Sequence, residues 1–283
     1  MPANAEDPST NEQTTHGPVR LAVWSGPRNI STALMRSWSS RADTAVIDEP
    51  LYAHYLGTLN PAKQALHPGS AEILTAQPTD WRAVADTLTG PIPDDRRVSY
   101  QKHMAHHFTE EIRLDMEADF DRAADGPHPW HWIRSLTNVF LIRDPAAMIT
   151  SFIKVIDDPT PADLGLPQQV RLFDRLHARL GTPPPVFDAA DILQDPEAGL
   201  TAMCAAVGVS FDPAMLSWAE GPHPDDGVWG PHWYASVNAS TGFAPYEPKN
   251  EPVPERLAGV LSECQRLYDH LAQFRIKVRE TVG

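Results

Sequence analysis

The sequence has little cysteine, a deficit of positive charge and no long apolar run. Its two cysteines, Cys204 and Cys264, form neither a disulfide framework nor a zinc-site spacing, so we expect a reducing, cytoplasmic environment. The 23 lysines and arginines face 37 acidic residues, a net charge of −14, which argues against nucleic acid or a membrane surface as partner. No stretch is long and apolar enough to span a membrane, and residues 1–17 lack the features of a signal peptide. We predict a disordered tail over 1–17 and a single domain over 18–283.

Short aliphatic runs alternate along the chain with longer segments that have the apolar spacing of helices. This alternation predicts an α/β fold in which helices cover both faces of a parallel sheet. Ligands of such sheets bind beyond the carboxyl ends of the strands, so the chemistry is expected there. The strand-like runs cover residues 19–24, 44–47, 97–102, 138–142 and 185–189.

The first strand leads into a loop that suits an anion. The stretch "SGPRNIST" (25–32) places a Gly-Pro turn, Arg28 and two hydroxyls at the start of a helix, whose free N–H groups favour negative charge. Compared with the Walker motif, Ser31 and Thr32 occupy the places of the second glycine and the lysine, which argues against a loop for ATP and magnesium. For this stretch alone, an ordinary strand–turn–helix connection remains an alternative.

A second anion-binding pattern follows the fourth strand. In "NVFLIRDPAAMITSF" (138–152), Arg143 comes directly after the strand, and Ser151 lies eight positions later on a helix that Pro145 begins. An arginine at a strand end and a serine two helical turns along can close around a second phosphate.

Together these stretches resemble the PAPS-dependent sulfotransferases, in particular their bacterial and plant sulfotransferase-like branch. The family pattern R-[ND]-P-x-x-x-x-x-S reads here as Arg143-Asp144-Pro145…Ser151. The segments "WSGPRNISTALM" (24–35), "DEPLYAHYL" (48–56) and "QKHMAHH" (101–107) resemble that branch. The resemblance implies a P-loop-type parallel sheet in a three-layer sandwich, with PAPS as donor, PAP as product and no metal.

The resemblance also assigns the donor-binding residues. It implies that the loop after the first strand binds the 5′-phosphosulfate and that Arg143 and Ser151 bind the 3′-phosphate. The Arg-Lys-Gly element of the family has no clear copy, and "VNASTGF" (237–243) is the expected replacement. The implied donor-binding residues are Arg28, Asn29, Ile30, Ser31, Thr32, Arg143, Ser151, Thr241 and Gly242.

Sulfuryl transfer needs cations near the bridging oxygen, a base for the acceptor proton and exclusion of water. Arg28 and Lys102 are the predicted cations. Two bases compete: His103, close to the family's Lys-x-His arrangement but one residue nearer, and Glu49, with His103 slightly preferred. Two alternatives stay open: an acidic cap by Asp48 or Glu49 on the following helix, and a metal held by His103, His106 and His107.

The sequence thus predicts a sulfotransferase that acts on a hydroxyl or an amine of a small molecule. An ATP-dependent small-molecule kinase and a non-catalytic PAP-binding protein are the competing functions. The proline-, glycine- and aromatic-rich segment 221–250 is predicted to be a packed lid. A homo-oligomer is compatible with the sequence.

Overall fold

The structure is a computed structural model that describes residues 17–118 and 131–278. The predicted tail over 1–17 lies, apart from its last residue, outside the described part. The strands are β1 Val19–Ser25, β2 Thr44–Asp48, β3 Val98–Met104, β4 Thr137–Ile142 and β5 Val186–Asp188. The helices are α1 Ser31–Ser39, α2 Tyr52–Thr58, α3 Pro61–Gln64, α4 Ser70–Ala76, α5 Trp81–Thr89, α6 Glu110–Ala118, α7 His131–Arg134, α8 Pro145–Phe152, α9 Leu166–Leu180, α10 Ala189–Gln194, α11 Pro196–Ala206, α12 Gly230–Trp233, α13 Ala235–Asn238 and α14 Ala258–Ala272. Short 3₁₀ helices cover Pro93–Asp95, Ala105–His107, Pro213–Leu216 and Glu255–Leu257.

The five strands form one parallel sheet in the order β2-β3-β1-β4-β5. Each observed strand overlaps a predicted run to within two residues at either end, because these runs are rich in aliphatic residues that pack well in a buried sheet. The α/β fold class, with a parallel sheet between helical layers, is confirmed.

Side chains of the central strand alternate between two apolar cores. Leu21 and Val23 of β1 pack with α1, α2 and α11 on one face, whereas Ala22 and Trp24 pack with α5, α9 and α14 on the other. Successive strand residues point to opposite faces, so a strand buried on both sides is apolar throughout. Helices therefore cover both faces, as the alternation of elements predicts. No helix in the described ranges combines the length and apolar character needed to cross a bilayer.

The loops after β1 and β4 lie side by side at the carboxyl edge of the sheet, because these two strands are neighbours. The β1 loop is tightly packed at Gly26, where a Cβ would lie 2.5 Å from the carbonyl oxygen of Leu164. Arg28 in the same loop has φ 56°, a left-handed conformation that costs a non-glycine residue about 1–2 kcal/mol. Such a cost is characteristic of loops whose shape serves a ligand.

The segment predicted to be a lid is packed against α1 rather than extended from the domain. Arg36 of α1, 1% exposed, donates to both carboxylate oxygens of Asp226 and to Oδ1 of Asn238 at 3.0 Å. Trp229 and Tyr234 of the segment belong to the core beside α1 and α2. A buried arginine thus joins residues 226–238 to the helix that follows the β1 loop.

Replacing Arg36 with alanine is expected to lower the free energy of unfolding by about 3–5 kcal/mol, because it leaves Asp226 as a buried, uncompensated charge. Urea denaturation of the two chains measures the difference. Arg256, an exposed arginine that pairs with Asp157 at 2.6 Å, is the matched control, and Arg256→Ala should cost under about 1 kcal/mol. Equal effects of the two substitutions would contradict this assignment.

Candidate active site

A cavity of about 350 Å³ opens at the carboxyl ends of β1, β3 and β4. The loop after β1, the last residues of α8 and residues from 233–249 contribute to its walls. Most of the sequence-predicted site residues come together here. Those that line the cavity are Arg28, Asn29, Ile30, Ser31, Thr32, Glu49, Lys102, Arg143, Ser151 and Gly242.

The two predicted anion-binding groups meet directly. Arg28 donates from Nε to Oγ of Ser151 at 3.0 Å, and the Arg143 guanidinium donates to the backbone carbonyl of Arg28. The Arg143 side chain therefore holds the strained β1 loop in place while its remaining N–H groups stay available to a ligand. The loops after β1 and β4 form one continuous surface.

Three cations share this end of the cavity. Arg28, Arg143 and Lys249 all line it, and within the described part of the chain none has a carboxylate oxygen within 4.0 Å. Burial, and the neighbouring cations in the case of Arg143 and Lys249, lower the pKa of all three groups. Like charges held together without a counter-ion favour a multiply charged anion.

The N-terminus of α1 faces the same space and lacks an internal cap. Ile30 is the N-cap residue, no side chain caps the helix, and its first turn contains no acidic residue. The Asn29 side chain is used within the loop, since its amide donates to the Leu141 carbonyl at 3.1 Å and its oxygen accepts from Ile30 N–H at 2.9 Å. The free N–H groups, with the Ser31 and Thr32 hydroxyls beside them, are thus available to an anion.

At the opposite wall, Lys102 lies in a buried network of oxygens. Its Nζ donates to Asp48 Oδ1 at 3.1 Å, Glu49 Oε1 at 2.7 Å and Tyr234 Oη at 2.6 Å. Burial alone lowers the pKa of Lys102, but the two carboxylates outweigh it and the net direction is upward. Because all three of its N–H groups are engaged, Lys102 acts on the site through Glu49.

Glu49 is the carboxylate that reaches the cavity. Burial raises the pKa of Glu49, and the Asp48 charge adds to the increase, although Lys102 opposes both. Asp48 does not line the cavity, and its Oδ2 accepts from Gly227 N–H at 3.0 Å and from the Tyr234 hydroxyl at 2.8 Å. Asp48 is thus bound within the buried network, whereas Glu49 both contacts Lys102 and lines the cavity.

The structure places His103, the slightly preferred base, away from the cavity. Lys102 and His103 are neighbours on β3, so their side chains point to opposite faces of the sheet. His103 stacks on Trp24 at 4.2 Å, and its Nε2 lies 3.3 Å from Oε1 of Gln101. Burial lowers its pKa to about 3. Of the two predicted bases, Glu49 therefore lines the cavity and His103 does not.

Thr241 is also outside the cavity, and its backbone carbonyl accepts from Trp218 N–H at 3.1 Å, whereas its neighbour Gly242 lines the wall. The alternative of a metal at His103, His106 and His107 gains no support. Within ranges 17–118 and 131–278, no group of three or more His, Cys, Asp or Glu residues could hold an ion.

Two residues that contribute to the site, Lys249 and Tyr234, were not assigned to it from the sequence. Lys249 and Tyr234 both come from the irregular segment after β5, where no strand end or helical period marks a position as functional. The abundance of aromatic residues in that segment was the only available signal, and it indicates packing rather than a particular contact.

The α/β sheet thus has a loop of the phosphate-binding type after its central strand, and three cations without a carboxylate partner among the described residues lie beside it. The family model described as "Sulfotransferase domain" matches residues 19–268. The chain belongs to this sulfotransferase domain family.

Two proteins of Arabidopsis thaliana are similar in sequence. The chain is 32% identical over 252 residues to "Branched-chain-amino-acid aminotransferase-like protein 2", covering 89% of this chain and 41% of that protein. It is 35% identical over 236 residues to "Branched-chain-amino-acid aminotransferase-like protein 1", covering 83% and 38%. The chain thus spans about two fifths of the length of these relatives.

Two solved sulfotransferase domains are similar in structure. The domain from the curacin biosynthetic pathway has a TM-score of 0.47 and 16% identity, covering 91% of this chain and 99% of the domain. The domain from the Synechococcus PCC 7002 olefin synthase has a TM-score of 0.49 and 17% identity, covering 91% and 96%.

Proposed function

We propose that the protein transfers the sulfuryl group of PAPS to a small-molecule acceptor in the cytoplasm. The single observation that carries this proposal is the group of three cations, Arg28, Arg143 and Lys249, which face one cavity without an acidic partner in the described residues. PAPS carries phosphate groups at both ends of its nucleoside, so it is a multiply charged anion of the kind that these three cations favour. With a net charge of −14, the rest of the chain does not favour nucleic acid or an anionic membrane as partner.

The residues present suit the two ends of this donor. The free N-terminus of α1, with Ser31 and Thr32, would hold the 5′-phosphosulfate. Arg143, Ser151 and Lys249 would hold the 3′-phosphate. When bound, PAPS supplies a sulfuryl group whose departure places charge on the bridging oxygen.

Arg28 is the cation positioned to stabilise that charge. Its guanidinium already donates to Ser151 from Nε, so the charge lies between the two loops, and its planar fork can bind two oxygens together. A preorganised cation in a buried site lowers the energy of a developing negative charge far more than one in water.

Glu49 would accept the proton of the acceptor. Oε1 of Glu49 is held by Lys102, and the carboxyl lines the cavity. Its raised pKa brings it closer to neutral pH than an ordinary glutamate, the condition under which a carboxylate is an effective general base. Lys102 and Tyr234 are positioning residues, because both contact Oε1 at 2.7 Å and 3.3 Å.

Two other functions make different demands. A kinase would bind ATP with magnesium, for which the β1 loop lacks the Walker lysine. A non-catalytic protein would bind PAP without turnover. The aminotransferase-like name of the Arabidopsis thaliana relatives is not transferred, because the matched part of this chain is a sulfotransferase domain and covers only two fifths of those proteins.

Formation of PAP from PAPS in the presence of a mixed panel of alcohols and amines tests the proposal. We expect acceptor-dependent PAP release without added metal, together with no ATP consumption under the same conditions with magnesium. PAP binding without any turnover would favour the non-catalytic alternative, and ATP consumption would favour the kinase.

Replacing Lys249 with alanine is expected to weaken PAP binding by about tenfold and AMP binding by less than about twofold, because a charged hydrogen bond to phosphate is lost. Lys249 lines the cavity together with Arg143, and the charge of Arg143 lowers the pKa of Lys249, which supports a position for Lys249 beside the 3′-phosphate. Isothermal calorimetry measures both affinities. The matched control is Lys154→Ala, since Lys154 is exposed, pairs with Glu251 at 3.1 Å and does not line the cavity. Similar losses in both variants would rule out a specific contact.

A further inference from the structure

Glu49, the carboxylate that lines the cavity, lies at a strained turn of the backbone. Its φ is 38°, in the left-handed region that residues with a Cβ rarely adopt. It also precedes Pro50, and a residue before proline ordinarily favours extended backbone. Two local preferences therefore oppose this conformation, and a residue keeps such a conformation only where the surrounding structure holds it there.

The turn brings two neighbouring carboxylates to one ammonium group. Side chains of consecutive residues in a strand point to opposite faces of the sheet, so an extended chain would separate Asp48 from Glu49. In the structure, Nζ of Lys102 donates to Oδ1 of Asp48 at 3.1 Å and to Oε1 of Glu49 at 2.7 Å. Asp48 is the last residue of β2, and the chain turns at Glu49. The left-handed turn therefore directs the Glu49 side chain to Lys102 and to the cavity.

Three hydrogen bonds hold the backbone of this turn. The Glu49 N–H donates to the carbonyl of Lys102 at 2.9 Å, and the Glu49 carbonyl accepts from Tyr52 N–H at 3.1 Å. The third bond comes from a side chain, since Nε2 of Gln77, the residue that follows α4, donates to the Glu49 carbonyl at 3.2 Å. The first two bonds join backbone groups, so Gln77 is the residue whose side-chain chemistry acts on the turn.

The other end of the Gln77 amide binds the helix that begins after the turn. Its Oε1 accepts from Ala53 N–H at 3.2 Å, in the first turn of α2. Leu51, the N-cap residue of α2, has an apolar side chain that cannot cap the helix, so the first N–H groups need partners from elsewhere. One amide group, carried by the end of α4, thus spans the turn from Glu49 to α2.

Given the proposed sulfotransferase function, on which this inference rests, we propose that Gln77 is a positioning residue whose amide holds the left-handed turn at Glu49 and so directs the base into the cavity. Gln77 does not line the cavity itself and acts through the backbone of Glu49. Without the amide, the turn should relax toward the extended backbone that Pro50 favours. The Glu49 carboxylate would then move away from Lys102.

Relaxation of the turn should also change the pKa of Glu49. The titratable and charged groups around its carboxyl are Lys102, Asp48, Tyr234, His107 and Tyr52. Burial and the Asp48 charge raise the pKa of Glu49, whereas Lys102 and Tyr234 lower it. A weaker contact with Lys102 should therefore raise this pKa further.

Three substitutions test the role of Gln77. Gln77→Met removes both hydrogen bonds at nearly constant size. Gln77→Glu, ionised at neutral pH, keeps an oxygen for Ala53 N–H but has no donor for the Glu49 carbonyl, so the start of α2 stays bonded. The matched control is Gln64→Met, because Gln64 is also half-buried and donates to backbone carbonyls at the other end of α2, those of Leu56 and Leu59, at 2.9 and 3.2 Å.

Two kinds of measurement are made on the full chain. PAP release from PAPS with the panel of alcohols and amines gives kcat, and calorimetry gives PAP affinity. A ¹³C NMR titration of the Glu49 carboxyl, identified by its absence from Glu49→Gln, gives the pKa without any substrate.

Both Gln77 variants should lower kcat by about 10- to 100-fold and change PAP affinity by less than about twofold, because the base is displaced while the donor site is kept. In Gln77→Met, the acid dissociation constant of Glu49 should fall by about tenfold, which means that its pKa rises. Gln64→Met should keep the wild-type kcat and the wild-type pKa of Glu49.

The proposal is overturned if either Gln77 variant keeps kcat within about twofold of the wild type, or if the pKa of Glu49 in Gln77→Met stays the same or falls. It is also overturned if Gln64→Met has the same effects as Gln77→Met, since weakening of α2 would then explain both. Failure of the sulfotransferase function is a separate result. The wild type would then release no PAP from PAPS, while the NMR titration would still test whether Gln77 controls Glu49.

Discussion

Replacing Glu49 with glutamine is expected to lower the turnover number by about 10²- to 10⁴-fold, the usual contribution of a general base. The substitution keeps the size of the side chain and an oxygen that can accept from Lys102, which donates to Oε1 at 2.7 Å in the wild type. Asp48 remains as the partner of Lys102, so the buried ammonium stays paired. The loss should therefore appear in catalysis, with PAP affinity changed by less than about threefold.

The pH profile of the wild type gives a second measure of Glu49. Only the ionised carboxylate accepts a proton, so kcat/KM should fall as pH decreases through the pKa of Glu49. Because burial raises that pKa, the acidic limb should lie above the range of an ordinary glutamate. Glu251→Gln is the matched control, since Glu251 is exposed and pairs with Lys154. A Glu49→Gln variant with the turnover and pH profile of the control would exclude Glu49 as the base.

Replacing Arg28 with alanine is expected to lower the turnover number by about 10²- to 10³-fold, the range found when one charge-stabilising group is removed. The folded state should be little affected, because alanine and arginine incur a similar steric cost at φ 56° and Arg28 pairs with no carboxylate in the described structure. Single-turnover kinetics with PAPS measure the effect on the chemical step.

Arg28→Lys separates the charge of this residue from its shape. Lysine keeps the positive charge but loses the planar fork and the contact from Nε to Ser151 Oγ at 3.0 Å. We expect it to recover part of the lost rate, and the recovered fraction measures the electrostatic share. A rate for Arg28→Ala within about threefold of the wild type would show that the charge of Arg28 has no role in the transition state.

Local sequence patterns are sufficient to predict the sheet and to place the loops after β1 and β4 at its carboxyl edge. The strands are short aliphatic runs bounded by turn residues, and Arg143 directly follows β4, so its position at the carboxyl edge is determined by chain connectivity. The direct contact between Arg28 and Ser151 depends on β1 and β4 being neighbours, a matter of strand order that local patterns do not encode.

The prediction of His103 as the preferred base shows that a sequence motif alone does not determine which face of a strand each side chain occupies. Lys102 and His103 are adjacent in β3, and side chains alternate along a strand, so both cannot face one cavity. Lys102 and Met104 line the cavity, whereas His103 lies in the core on the opposite face of the sheet, beside Trp24. The contributions of Lys249 and Tyr234 depend on the path of an irregular segment far along the chain.

The most direct test of the proposed 3′-phosphate site is calorimetry of PAP and AMP binding to the wild type, Arg143→Ala and Ser151→Ala. The two nucleotides differ only in the 3′-phosphate. We expect the wild type to bind PAP about 10- to 100-fold more tightly than AMP, the range of one or two charged hydrogen bonds, and both variants to lose that preference. Equal affinity of the wild type for PAP and AMP, or a preference that survives both substitutions, would contradict the account.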